Sequence, residues 1–179
     1  MIEGHDNLID LEIFHPWFEK SGFPSSGMGE AGFDLTLKNL GELVSKKQGI
    51  SLTSLEMARE SQELKMLEPS PHWTLEPHVV YLGASQQKIK MPKTHMGLCF
   101  SKSTLARVGL QALCTPIEPG WEGFLTVELI NHGNQPIHLP KYAGVTQVVV
   151  LRVEGATSYS GSYQNQRQVP VMAGAGNNE

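Results

Sequence analysis

The run Lys102-Ser103-Thr104-Leu105-Ala106-Arg107-Val108-Gly109-Leu110 gathers two cations and two hydroxyls in one short segment. Lysine and arginine make charge-assisted hydrogen bonds, and serine and threonine hydroxyls both donate and accept, so this composition suits a phosphate or a developing negative charge. A solvated basic turn between strands has the same composition, and the run alone leaves both readings open. A second candidate follows at Phe124-Leu125-Thr126-Val127-Glu128-Leu129-Ile130. Alternation along a strand puts Glu128 on the face of Phe124 and Thr126, opposite Leu125, Val127 and Leu129. With the apolar set facing a core, that carboxylate is a plain exposed side chain, a reading that periodicity alone does not exclude.

The elements that must hold these residues are mostly short strands. His78-Val79-Val80-Tyr81-Leu82, the segment around Glu128, and Val145-Thr146-Gln147-Val148-Val149-Val150-Leu151 are separated by turn signals at Pro92-Lys93, Glu118-Pro119-Gly120, Asn131-His132-Gly133-Asn134 and Pro140-Lys141. Many short strands with few helices predict a mainly β fold, a sandwich or barrel of jelly-roll type. Toward the N-terminus, residues 8–20 carry Pro16 and predict a short helix or an extended arm. Ser21 to Glu30 is glycine-rich and reads as a loop, followed by a strand over Gly32-Phe33-Asp34-Leu35-Thr36-Leu37. Leu52 to Leu67 permits a helix or an irregular insertion. The division expected is an arm over 1–31, a β core over 32–155 and a polar tail over 156–179, the tail being disordered or ordered only against a ligand or a neighbouring subunit.

At 179 residues the chain has the size of one domain, and its net charge of -4 offers no global field for nucleic acid polymers or anionic membranes. No apolar run reaches membrane-spanning length and the N-terminus lacks a basic, then apolar, leader, so a cytoplasmic protein is expected. The two cysteines, Cys99 and Cys114, lie outside any CxxC spacing and read as buried free thiols. No P-loop string is present, nor are the H-x-E and P-C-x-x-C strings of a zinc deaminase.

Three runs in order, Ser103 to Leu110, Ile117-Glu118-Pro119-Gly120-Trp121-Glu122-Gly123, and Thr126-Val127-Glu128-Leu129-Ile130-Asn131, resemble the central signature of the dCTP deaminases: S-S-L-A-R-x-G-L, I-D-P-G-[WF]-x-G and [TV]-L-E-x-x-N. Gly32 to Leu37, Gly144-Val145-Thr146-Gln147 and Tyr163-Gln164-Asn165-Gln166 are similar to flanking motifs of the same family. The resemblance implies a distorted jelly-roll β-barrel of the dUTPase-like type with a few short helices, assembled as a homotrimer with interfacial sites and a C-terminal tail that closes over nucleotide. It implies zinc-independent deamination of dCTP to dUTP and ammonia, with Glu128, Ser103 and Arg107 catalytic. Lys102, Thr104, Glu118, Trp121, Gln147, Tyr163 and Gln166 would bind substrate. Mg2+ would be held through the triphosphate and water, with no protein metal ligands, and dTTP is a candidate inhibitor. Departures from the pattern lie at Lys102, in place of arginine, at Glu118, in place of aspartate, at Ser162, and in the short turn Gln111 to Pro116. They keep two other readings in view: a dUTP pyrophosphatase or bifunctional enzyme forming dUMP, and a nucleotide-binding regulatory module without catalysis.

Overall fold

A computed structural model describes residues 1–50 and 53–173, with only the backbone of Leu55. Its strands are β1 (Phe14–His15), β2 (Gly27–Gly29), β3 (Gly32–Leu35), β4 (Leu37–Ser45), β5 (Gln62–Met66), β6 (His72–Leu75), β7 (Val80–Lys90), β8 (His95–Ser101), β9 (Leu110–Leu113), β10 (Glu122–Asn131), β11 (Ile137–Pro140) and β12 (Thr146–Arg152); the helices are α1 (His5–Asp10), α2 (Leu55–Glu60) and α3 (Ser103–Ala106). One sheet runs β5-β4-β7-β10-β9 with β1 added to β7, a second runs β2-β3-β12-β8, and β11 pairs with β6. All the strand pairs are antiparallel. The mainly β expectation therefore holds.

The core follows from alternation. Along β10 the side chains of Leu125, Val127 and Leu129 are buried while Thr126, Glu128 and Ile130 are partly exposed. Phe33, Val148 and Val150 of the second sheet join them in one apolar cluster. Burial of each such side chain contributes roughly 1.5–3 kcal/mol. β10 ends at Asn131, fully buried, whose amide group donates to the carbonyls of Leu75 (2.9 Å) and Gln135 (2.8 Å) and whose Oδ1 accepts from Gly133 N (2.9 Å). That one side chain satisfies main-chain groups the strand no longer pairs.

Several expectations are corrected in detail. The glycine-rich loop contains a strand, β2, because Met28 is buried and pairs with Phe33. The presumed arm is sewn into the sheets: Ile2 bridges Leu151, β1 pairs β7, and Phe14 stacks on Phe33 at 4.7 Å. The expected strand Gly32 to Leu37 is two strands broken at Thr36. The insertion is both helix and strand, since α2, capped by Ser54 Oγ accepting from Met57 N, leads into β5 on the sheet edge; Leu52 lies outside the described residues. The turn around Ser103 contains α3. Cys99 and Cys114 are free and only partly buried.

The tail is the largest difference. Through Ala173 it lies on its own chain, with Asn165 N donating to Glu122 O (2.8 Å), Phe124 N to Gln166 O (3.0 Å) and Val171 N to Thr126 Oγ1 (3.1 Å). Polar side chains replace an apolar face: Gln164 accepts from Glu122 N and donates to Gly120 O, and Gln168 donates to Gln86 O. The part of the expected tail beyond Ala173 lies outside the described residues.

Candidate active site

A groove of about 550 Å³ lies on the partly exposed face of the first sheet. Its floor is set by register. Glu128 stands opposite Leu82 of β7, which stands opposite Gly41 of β4, so these rows share a face with Val80, Leu43 and Gln62. One wall is the segment from Thr115 to Glu118 with Trp121, and the other is the tail, through Tyr159, Tyr163, Gln166 and Val171.

Two glycines let the tail approach. Gly123 has φ +151, and a Cβ there would lie 2.7 Å from Gln166 N; Gly120 has φ +74, and a Cβ would lie 2.1 Å from Ser158 Oγ. Both positions need a residue without a side chain. Trp121, 5% exposed, donates its indole N–H to Tyr163 O at 2.8 Å, and Gln166, 6% exposed, donates to Thr126 Oγ1.

Burial under these walls holds the Glu128 carboxyl above its ordinary range. Loss of hydration disfavours the charged form. A carboxyl so placed takes a proton more readily than an exposed one and can return it, which is what a general acid and base requires. Cys99 lies close to Cys114, and its thiol is pushed up, first by the hydrogen bond between them and then by burial, which disfavours the thiolate.

The groove brings together Glu128, Glu118, Trp121, Tyr163 and Gln166 of the residues singled out in the sequence. It does not include Ser103, Arg107, Lys102, Thr104 or Gln147 of the same chain. Ser103 and Arg107 are exposed on and beside α3. Lys102 is 9% exposed at its side chain, and its ammonium is held by Asp34 Oδ2, Ser25 O (2.6 Å) and Ser25 Oγ (3.0 Å). Thr104 is half-buried on α3, and Gln147 is half-buried on β12 with Asp34 and Phe100 as its strand partners. Sequence reasoning misses Thr126, although it shares the Glu128 face two residues away. It also misses Leu43 and Gln62, whose arrival depends on long-range pairing.

The fold is that of the dUTPase-like nucleotide enzymes: the 2'-deoxycytidine 5'-triphosphate deaminase of Agrobacterium tumefaciens superposes with a TM-score of 0.64 at 16% identity, over 86% of this chain and 48% of that one. The chain thus spans about half of that longer molecule. Within that class, the family model for dCTP deaminase-like proteins matches residues 19–153, and the chain belongs to that family. A dCTP deaminase of Ehrlichia canis is 27% identical over 178 residues, covering 93% of this chain and 91% of the relative. A probable deoxyuridine 5'-triphosphate nucleotidohydrolase of Methanothermobacter thermautotrophicus is 39% identical over 101 residues, covering 56% of this chain and 67% of the relative.

Proposed function

We propose that the protein deaminates dCTP hydrolytically to dUTP and ammonia, without zinc, and that Glu128 carries the proton transfers. The observation that carries this reading is a carboxyl of raised pKa on the floor of a groove walled by Trp121, Tyr163 and Gln166. Glu128 takes a proton from water as its oxygen attacks C4 of cytosine, then returns it to the exocyclic nitrogen so that ammonia departs. Tyr163 and Gln166 close the groove and exclude bulk water. Ser103 and Arg107, exposed on their own chain, complete the site of a neighbouring subunit in a homotrimer, where Arg107 supplies a fixed positive charge. Thr104 and Gln147 are assigned to the same shared nucleotide contact. Lys102 acts through Asp34, holding the start of α3 in place.

Among the described residues no group of three His, Cys, Asp or Glu could cage a metal ion. Mg2+ would be carried as a hydrated ion on the triphosphate, held through phosphate oxygens and water rather than by protein ligands. When bound, Mg2+ neutralises phosphate charge. A tail that closes over nucleotide, a cytoplasmic location and sensitivity to dTTP belong to the same proposal.

The test is incubation with dCTP and Mg2+, and separately with dUTP and Mg2+, resolving nucleotides alongside released ammonia. Ammonia with accumulating dUTP is expected, and Glu128→Gln should lower the rate by about 10²–10⁴. The similarity to the probable deoxyuridine 5'-triphosphate nucleotidohydrolase favours a second reading, pyrophosphate hydrolysis alone or after deamination. Formation of dUMP and pyrophosphate would establish that reading instead.

A further inference from the structure

A second cavity, of about 580 Å³, opens between the 18–26 loop, the start of β4 and the turn before β12, and shares no lining residue with the Glu128 groove. Two cations reach it, Lys38 and Lys141. Pairing between β4 and β7 steps from Leu37↔Ser85 to Asn39↔Ala84, which makes Lys38 the extra residue of a β-bulge. A bulge re-aims the side chain it carries, and bulges concentrate beside functional sites. Lys141 lies with its ammonium 5.4 Å from the centre of the buried Trp73 ring, so its stem is already ordered.

No carboxylate lines this cavity, and among the described residues neither lysine has a carboxylate partner. Two ammonium groups without a carboxylate partner in one concavity run against a chain of net charge -4. The loop wall is fixed by reciprocal main-chain bonds between Ser21 and Ser26, both 2.9 Å, which hold Ser21 on the rim. Tyr142, 61% exposed, adds an open aromatic face, and the Gln86 side chain adds both a donor and an acceptor.

We propose that this cavity binds a phosphorylated small molecule carrying a planar ring, a nucleoside phosphate in chemical class. Lys38 and Lys141 take the phosphate by charge-assisted hydrogen bonds, and the ring lies against Tyr142. Two point charges in a concavity of this size match one phosphate group better than a polymer or a membrane surface, which needs an extended basic face.

The test uses the full isotope-labelled chain titrated with inorganic phosphate and, separately, with dCMP. Amide signals of Lys38, Gln86 and Tyr142 report this cavity; those of Thr126 and Glu128 report the other groove, so failure of one reading is distinguishable from failure of the other. Both ligands are expected to move the first set, with dCMP binding at least about tenfold tighter. Lys38→Ala, and Lys141→Met, which keeps the stem over Trp73, should each weaken both ligands by about tenfold, while Tyr142→Ala weakens dCMP alone. Stationary signals at Lys38, Gln86 and Tyr142 up to millimolar ligand, or unchanged affinity in both lysine variants, would overturn the site. Equal affinity for phosphate and dCMP would overturn the nucleoside assignment in favour of a bare phosphate.

Discussion

The role proposed for Glu128 comes from its surroundings. The strand alternation places it on the face away from Leu125, Val127 and Leu129, where an unadorned strand would leave it in water. The tail and the 115–118 segment cover it instead and raise its pKa. The sign of the consequence is fixed: a carboxyl raised on folding contributes stability that is complete below the unfolded value of about 4.3 and is lost as pH rises through the folded value. Glu128→Gln is therefore expected to melt above the wild type at neutral pH, with the gap narrowing as pH falls toward 4 in a pH series of thermal unfolding curves. A constant gap across the series would mean that the carboxyl ionises freely. In the wild type the acidic limb of kcat/KM against pH should lie above the ordinary glutamate range for the same reason. The buried Lys102 and Asp34 pair makes a second residue-level test. Asp34 is 1% exposed, and its Oδ1 has no hydrogen-bond partner, so it depends on Lys102, on Lys20 at 3.7 Å and on Ser25 Oγ, which donates to Oδ2 at 3.3 Å. Lys102→Met should cost about 3–5 kcal/mol in denaturant unfolding, and adding Asp34→Asn should recover much of it.

At the scale of elements, β10 and the tail line the groove together, and they differ in how openly the sequence declares them. β10 is legible because period-two burial is written in residue type at Leu125, Val127 and Leu129. The tail is not, because its docking rests on main-chain hydrogen bonds and on Gln164, Gln166 and Gln168, residues whose polarity reads equally as disorder. The signal lies at the partner strand and the turn before it, where Gly123 and Gly120 leave room for an approaching backbone. The β4 to β5 hairpin, which brings Gln62 to the groove, and the Lys102 and Asp34 pairing depend on contacts between distant positions that no local pattern carries. Gly123→Ala tests the tail. A Cβ 2.7 Å from the Gln166 main chain must push the segment away, so turnover should fall by about 10²-fold while the cooperative unfolding of the β core persists. Trp121, its indole released from Tyr163 O, should emit at longer wavelength. Unchanged emission and turnover would mean that the tail does not close the groove in solution.

At the scale of the whole molecule, the proposed site is divided between chains. Glu128 lies in a groove whose lining omits Ser103 and Arg107 of the same chain, and those two are exposed together with Val108 (59%) and, nearby in sequence, Phe100 (51%) and Leu113 (46%). Exposed apolar side chains close in sequence to exposed polar ones have the mix of residues that a subunit interface uses. If each site takes Glu128 from one chain and Arg107 from its neighbour, two inactive variants must complement each other. Glu128→Gln and Arg107→Ala, each inactive alone, should regain activity on co-expression, because random mixing in a ring leaves about a quarter of the sites with both native residues. Separately purified variants mixed without subunit exchange should stay inactive. No recovery in co-expressed, demonstrably mixed trimers would place Arg107 and Glu128 in sites built from a single chain.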